Sequence, residues 1–184
     1  MTKQQIREVM RSCIEPPKIC RVSAKYSPDY YYYFPLIVGE RLFLGADENN
    51  FILDGYTIRR ITDIVKAEAR DDKCLEIAVA EGLTTQLQKP DVDISDWRSV
   101  FESLKKMDRN IIIEKESRDE DECEFWIGRI IKVCSRYVLF LHFDADGIWE
   151  EKPYKIPYSE ITRVSFGARY VDVFSKYLSP CPID

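Results

Sequence analysis

The second half of this 184-residue chain repeats the plan of the first half, a short amphipathic helix followed by a run of strands. The first helix is predicted over residues 2–13, because apolar side chains recur there at the i, i+3, i+4 and i+7 spacing of one helix face. Thr2 and Gln5 form a possible capping box at its start. A repeated plan of this kind predicts two similar units.

The second helix is predicted over residues 95–107, which carry the same apolar spacing. Asp93 or Ser95 is the candidate N-cap. The apolar positions of the two helices are Ile6, Val9, Met10 and Cys13 in the first and Trp97, Val100, Phe101 and Leu104 in the second. Both helices are therefore expected to pack one face against other elements.

Five strands are predicted after each helix. In the first half they are Ile19–Lys25, Tyr31–Val38, Arg41–Leu44, Tyr56–Ile64 and Cys74–Val79, and in the second half Ile111–Lys115, Phe125–Val133, Tyr137–Phe143, Tyr158–Val164 and Tyr170–Phe174. Turns are predicted at residues 47–50 and 144–147, where Asp, Asn and Gly cluster. Residues 170–178 also fit a helix, so the type of this last element stays open.

The repeat predicts two domains, 1–90 and 91–184, joined through the segment around Thr84 to Val92. Hydrophobic residues make up 45% of the chain, which is ample for two cores, yet no apolar run of eighteen residues occurs. The polar start Met-Thr-Lys-Gln-Gln does not fit a signal peptide. We therefore expect no membrane contact and a cytoplasmic location.

A helix followed by about five bent strands, given twice, resembles the layout of Sm-like and SH3-like small barrels. The resemblance implies an α+β protein of two tandem small β-barrel-like units, each preceded by a short amphipathic helix. Sm proteins that bind RNA carry an Asp-aromatic-x-Asn motif in one loop and a basic residue before glycine in another. Asp47-Glu48-Asn49-Asn50 and Phe166-Gly167 do not match these motifs, so no RNA-binding residue is carried over. Residues 126–130, 141–145 and 161–170 also resemble a group of bacterial proteins without an established activity.

The sequence contains few of the residue patterns that bind metals or cofactors or that carry out catalysis. The six cysteines include no C-x-x-C pair, and His142 is the only histidine. His142 ends a predicted strand, where a hydrogen-bonded structural histidine is the expected interpretation. Phosphate-binding glycine motifs are missing from the sequence. We expect no metal, no cofactor and no enzymatic activity. Asp144-Ala145-Asp146-Gly147 resembles part of a calcium loop, but flanking strands favour a β-turn.

Two segments are candidate partner-binding sites. Tyr30, Tyr31, Tyr32 and Tyr33 form an aromatic run in which alternate residues face opposite sides of a strand, so one side is core and the other is either core or an exposed patch. Residues 91–184 hold 14 Lys and Arg against 19 Asp and Glu, and the excess includes the loop Asp119, Glu120, Asp121 and Glu122. That loop is either a solvated turn or a contact for a basic partner.

Two functional hypotheses follow. The first is a non-enzymatic interaction protein whose unknown partner is a protein, with the tyrosine run and the acidic loop as contacts. The alternative is an Sm-like protein that binds single-stranded nucleic acid through Arg59, Arg60 and the tyrosines. The net charge of −5 favours the first hypothesis, since nucleic-acid surfaces are basic.

Overall fold

The computed structural model describes residues 1–183 and divides the chain into two compact units, Met1–Pro90 and Asp91–Asp184. Both units begin with a helix and continue with five strands. Unit 1 contains α1 (Lys3–Ser12), β1 (Cys20–Ala24), β2 (Tyr30–Val38), β3 (Leu42–Asn49), β4 (Ile52–Arg60), β5 (Ile64–Ala69), α2 (Lys73–Ala80) and α3 (Leu83–Gln86). Unit 2 contains α4 (Trp97–Lys106), β6 (Ile111–Lys115), β7 (Glu124–Val133), β8 (Tyr137–His142), β9 (Tyr154–Pro157), β10 (Arg163–Phe166) and α5 (Arg169–Ser175).

The two leading helices form where their apolar spacing predicts them. In α1 the Thr2 side chain accepts a hydrogen bond from the Gln5 backbone and the Gln5 side chain accepts one from the Thr2 backbone, which confirms the capping box. Helix α4 is capped by Asp96, which accepts from Ser99 N, so the two proposed caps are wrong by one to three residues. The predicted apolar faces are confirmed. Every predicted apolar position of both helices is buried except Val9, which is half-buried.

The strands of each unit are antiparallel and follow the same order. In unit 1 the order is β5-β1-β2-β3-β4, and in unit 2 it is β10-β6-β7-β8-β9. Even the irregularities correspond, since the register shifts between Pro35 and Ile37 in β2 and between Ile130 and Lys132 in β7. Cys20 of β1 faces Tyr33 and Ile111 of β6 faces Gly128, which makes Tyr33 and Gly128 equivalent positions.

The prediction of two small Sm-like or SH3-like barrels is wrong. The ten strands form open antiparallel sheet, in which β4 and β5 lie at opposite ends of the strand order of unit 1 and β9 and β10 at opposite ends in unit 2. Residues 61–63 form a 3-10 turn after β4, and β5 then pairs with β1. Alternation of polar and apolar residues is the same in open and closed sheets, so the sequence pattern does not report closure.

Two local predictions also need correction, and the structure decides between the two alternatives for a third segment. Cys74–Val79 belongs to the helix α2, capped by Asp72, and is not a strand. Residues 170–174 lie in the helix α5, which confirms the helical alternative for this segment. The first hairpin turns at Asn50 and Phe51, because β3 continues to Asn49. The turn at residues 144–147 is confirmed by the hydrogen bond from Gly147 N to Asp144 O.

Each unit buries apolar residues on both faces of its strands. In unit 1 one core joins α1 to β1, β2 and β3 through Met10, Val22 and Phe43, and a second core packs Phe34 and Ala46 under α2 and α3. In unit 2 the face of β6 and β7 is covered by α5. Among residues 1–183, no helix is both long enough and apolar enough to span a membrane.

Candidate functional site

The tyrosine run lies in β2, where alternation sends its four side chains to two faces. Tyr31 and Tyr33 face α1 and the core that contains Phe43. Tyr30 and Tyr32 point to the opposite face, and Tyr30 is 51% exposed. The structure therefore divides the run into a core pair on the α1 side and a pair on the opposite face, called the surface pair, of which Tyr30 is exposed and Tyr32 is half-buried against the core under α2.

The core pair surrounds a buried arginine. Arg59 has no exposed surface, its Nε donates to the Tyr33 hydroxyl at 3.1 Å, and its guanidinium carbon lies 4.1 Å from the centroid of the Tyr31 ring. Burial of a cation is tolerated when its N–H groups are bonded and an aromatic face accepts the charge. A side chain with no exposed surface offers no contact to a nucleic acid, so this structure gives Arg59 a structural role.

The surface pair belongs to a row of arginines and tyrosines. Arg21 of β1 lies opposite Tyr32 in the strand pairing, and its guanidinium carbon is 4.6 Å from the centroid of the Tyr30 ring. On its other side Arg21 faces Glu68 of β5, with Nε to Oε2 at 2.8 Å. Hydrogen bonds from Lys66 and Arg21 hold the pKa of Glu68 below its usual range. The pairing keeps Arg21 charged and fixes it beside Tyr30.

Arg70 continues this row beyond the end of β5. Its guanidinium carbon lies 5.9 Å from the centroid of the Tyr32 ring, and it forms an ion pair with Asp72, which raises the pKa of Arg70. We call the set Arg21, Tyr30, Tyr32, Glu68 and Arg70 the Tyr–Arg face. Its members come from β1, β2, β5 and the residue after β5, and the strand register brings them together.

A pocket of about 330 Å³ adjoins the Tyr–Arg face. Its lining residues are Ile19, Tyr32, Glu48, Asn49, Asn50, Phe51, Arg70 and Cys74. One wall is the β3–β4 hairpin tip, where Asn50 and Phe51 have φ of 52° and 64°. A phenylalanine in this left-handed region is uncommon and costs conformational energy, which makes the tip a candidate for function. The Glu48 side chain holds it by accepting from Phe51 N at 2.7 Å.

The other predicted contact residues lie apart from the Tyr–Arg face. The acidic residues lie in an exposed 3-10 turn of unit 2, which comprises Asp119, Glu120, Asp121 and Glu122. Asp121 N donates a hydrogen bond of 3.1 Å to the Asp119 side chain and holds this turn in place. Arg60 is half-buried, and its Nε lies 3.0 Å from Oδ2 of the buried Asp63. Asp63 also binds Lys25, with Oδ1 and Nζ 2.7 Å apart. These ion pairs give Arg60 a structural anchor.

The ring of His142, the only histidine in the sequence, is hydrogen-bonded through Nδ1 to the backbone of Ile127. Ile127 N donates to His142 Nδ1 at 3.0 Å. No group of three or more His, Cys, Asp or Glu side chains suited to a metal occurs within residues 1–183. Cys13 and Cys20 are both buried, and the hydrogen bond between the two thiols together with burial raises the pKa of Cys20. A buried thiol with a raised pKa is a poor nucleophile.

The equivalent face of unit 2 has a different character. The strand register places Ile112 where unit 1 has Arg21 and Ile127 where unit 1 has Tyr32. Both isoleucines are buried in a core with Phe143 and Val171, and Trp149 and Phe174 pack against it. Helix α5 follows the last strand of unit 2 as α2 follows the last strand of unit 1. In unit 1 the core beneath α2 contains Ile19 and Phe34, and Tyr32 packs against this core as a partly buried residue, while Tyr30 remains 51% exposed.

Comparison with known proteins gives no relative for the chain. No protein-family model, no curated protein and no solved structure matches it. Sequence reasoning found Tyr30 and Tyr32 but missed Arg21, Glu68 and Arg70, which join them only through the register of β1 with β2 and β5.

Proposed function

We propose that the chain is a non-enzymatic interaction protein that binds a protein partner through the Tyr–Arg face. One observation carries the proposal. At the positions where unit 2 buries Ile112 and Ile127 under α5, unit 1 presents Arg21 and Tyr32, and Tyr30 beside them is half-exposed. Tyrosine and arginine are the side chains most enriched at the centres of protein interfaces.

The ordering of the face supports binding of a partner. Arg21 is held between Glu68 and the Tyr30 ring, and Arg70 is held between Asp72 and the Tyr32 ring. Long side chains that are fixed before binding lose less conformational entropy when a partner arrives. The pocket beside Tyr32 supplies a concave socket for one anchor side chain of that partner.

The acidic turn at residues 119–122 is proposed as a second contact, suited to a basic segment of the partner. The proposal also includes a cytoplasmic location, in which the exposed Cys74 and Cys123 remain thiols. Its non-enzymatic part is supported by the engagement of His142 with the Ile127 backbone.

The nucleic-acid alternative has weaker support. Arg59 is buried against Tyr31 and Tyr33, and Arg60 is anchored to Asp63. In its favour, the exposed Tyr30 ring beside Arg21 offers a surface on which a base can stack. The Tyr–Arg face itself pairs its cations with Glu68 and Asp72, which lowers its attraction for a phosphate backbone.

Site-specific photo-crosslinking in the native cells tests the proposal. A photoreactive phenylalanine analogue replaces Tyr30 in one variant and Tyr177, which is 84% exposed in unit 2, in a matched control. We expect a protein adduct at position 30 that is absent at position 177 and is lost when Arg70→Ala is added. An adduct with nucleic acid alone at position 30 would favour the alternative. Equal protein adducts at both positions would refute the assignment of the face.

A further inference from the structure

Unit 2 contains a pocket of about 450 Å³ in which three basic side chains from different elements meet. Lys105 comes from the last turn of α4, Arg109 from the segment before β6, and Arg129 from β7. The remaining lining residues are Asp108, Ile130, Ile131, Pro180, Cys181 and Ile183. We propose that this pocket is a binding site for a small molecule that carries a phosphate monoester next to an apolar body.

The three cations are held in place by protein groups. Lys105 Nζ donates to Ile131 O at 2.5 Å, and Arg109 Nη2 lies 2.8 Å from both carboxylate oxygens of Asp172. Arg129 is paired through Nη2 with Asp108. Side chains positioned in advance bind an anion without a further ordering cost.

These contacts leave donors for a ligand. A guanidinium carries five N–H groups, and within residues 1–183 the hydrogen bonds of Arg109 and Arg129 to protein use Nη2 alone. The Nε and Nη1 groups of both arginines are therefore available to a phosphate, whose oxygens match the fork geometry of guanidinium.

Charge and shape agree with this ligand class. Among residues 1–183, three cations against the two carboxylates Asp108 and Asp172 leave a local positive excess, although residues 91–184 as a whole carry 14 basic and 19 acidic side chains. Lys105 and Lys106 lie in the last turn of α4 and already supply the cations that interact favourably with the C-terminal end of a helix dipole. Arg129 on β7 is therefore not needed for stabilising the helix end. The volume falls within the range of small-molecule sites.

The apolar wall of the pocket is anchored to the core of unit 2. Leu178 packs with the core under α5, and Trp149 Nε1 donates to Ser179 O at 2.9 Å, just before Pro180. Ile131, Pro180 and Ile183 supply the apolar part of the lining beside the cations. Such a wall favours an organic phosphate over the inorganic ion, since it removes the apolar body of the ligand from water.

Titration of the full chain with phenyl phosphate, followed by backbone amide NMR, tests the proposal. We expect saturable chemical-shift changes at the amides of Asp108, Arg109, Ile130 and Ile131. The affinity for phenyl phosphate should fall as the salt concentration is raised. Inorganic phosphate and benzoate should each bind at least about tenfold more weakly than phenyl phosphate. Phenol, which has the same ring without the charge, should cause no shift at these residues. The absence of localised shifts with millimolar phenyl phosphate would overturn the proposal.

Two variants separate the pocket from general charge effects. Arg129→Gln should weaken phenyl phosphate binding by about tenfold or more, as expected for loss of a charged hydrogen bond. Lys106→Gln removes the same charge one residue from the pocket lining and should leave affinity within about twofold. Equal weakening in the two variants would refute the site, and the spectra of both establish that each is folded. The outcome does not depend on the Tyr–Arg face of unit 1.

Discussion

The two units have equivalent strands in the same order, yet they differ in the residues on one face of the sheet. Unit 2 fills the face of β6 and β7 with Ile112 and Ile127 and covers it with α5, whereas unit 1 places Arg21 and Tyr32 at the same positions. The core under α2 in unit 1 contains Ile19, Phe34 and Ala46, and Tyr32 packs against it. The difference shows that the strand framework tolerates at these two positions either two buried isoleucines or a half-buried tyrosine beside a partly exposed arginine.

The largest expected effect comes from exchanging the residue types at one pair of equivalent positions, Ile112 in unit 2 and Arg21 in unit 1. Ile112→Arg places an unpaired cation in the core under α5 and should cost about 4 kcal/mol of the free energy of unfolding of unit 2. The reverse change, Arg21→Ile, should cost far less, because Arg21 and Glu68 keep 30% and 32% of their side-chain surface exposed and water screens the ion pair. Urea titrations followed by amide NMR signals of each unit measure both values. Similar losses in the two variants would contradict the comparison.

The next largest effect concerns Gly128, which stands where unit 1 has Tyr33. Gly128 has φ of 154°, and an added Cβ would lie 1.9 Å from Leu141 O, so Gly128→Ala should cost about 3 kcal/mol or more. Gly82→Ala is the control, since Gly82 also has a positive φ of 78° but its nearest neighbour is 3.5 Å away. Its expected cost is about 1 kcal/mol. Thermal unfolding of both variants distinguishes the clash from backbone strain alone.

A smaller effect is expected from truncating equivalent side chains. Ile127→Ala should destabilise unit 2 by about 2 kcal/mol, because it leaves a cavity under α5. Tyr32→Ala should destabilise unit 1 by about 1 kcal/mol, since its ring is half-buried and keeps one side toward Arg70. The same urea titrations compare them. A greater loss from Tyr32→Ala would mean that the Tyr–Arg face is a structural core.

The smallest effect is a pH dependence of unit 2. Tyr158 donates its hydroxyl to Cys134 O at 2.8 Å and stacks on Phe101, and burial raises the pKa of Tyr158 to about 12. An unfolded tyrosine has a pKa of about 10, so the folded state retains this proton longer. The contribution of the shift to stability is full below pH 10 and is lost as the pH rises from about 10 through about 12.

Tyr158→Phe isolates that contribution. The variant should lose about 1 kcal/mol at neutral pH with the hydrogen bond to Cys134 O, and the difference from the unsubstituted chain should shrink above pH 10. Unfolding free energies measured for both proteins from neutral pH to about 12 test the sign. A difference that grows with pH would show that the assignment of the raised pKa is wrong.

The leading helices could be predicted from sequence because their information is local. The capping box at Thr2 and the apolar spacing of Trp97, Val100 and Phe101 act within a few residues of the chain. In contrast, residues 74–79 alternate Leu75, Ile77 and Val79 and were predicted to form a strand. Their helix begins at the N-cap Asp72, which is a local signal, and it is stabilised by the core that Ala78 shares with Phe34 and Ala46, which are distant in the sequence.

The candidate site was predictable in part for the same reason. The run of tyrosines fixes which rings share a face of β2, but not which of the two faces is covered. The burial of Arg59 and the exposure of Tyr30 depend on contacts between distant strands. Whether the sheet is open likewise depends on which strand β5 pairs with. The predicted strands contain only the first residue of β5 and none of β9.

The pairing of the first strand with the last has a consequence for biosynthesis. Strands β1, β2, β3 and β4 are neighbours in both sequence and sheet, so they can pair as soon as they leave the ribosome. One edge of β1 has no partner until β5 is made, and β6 waits in the same way for β10. Each unit therefore passes through a nascent stage with an open backbone edge, which exposes it to chaperones and to aggregation until its final strand emerges.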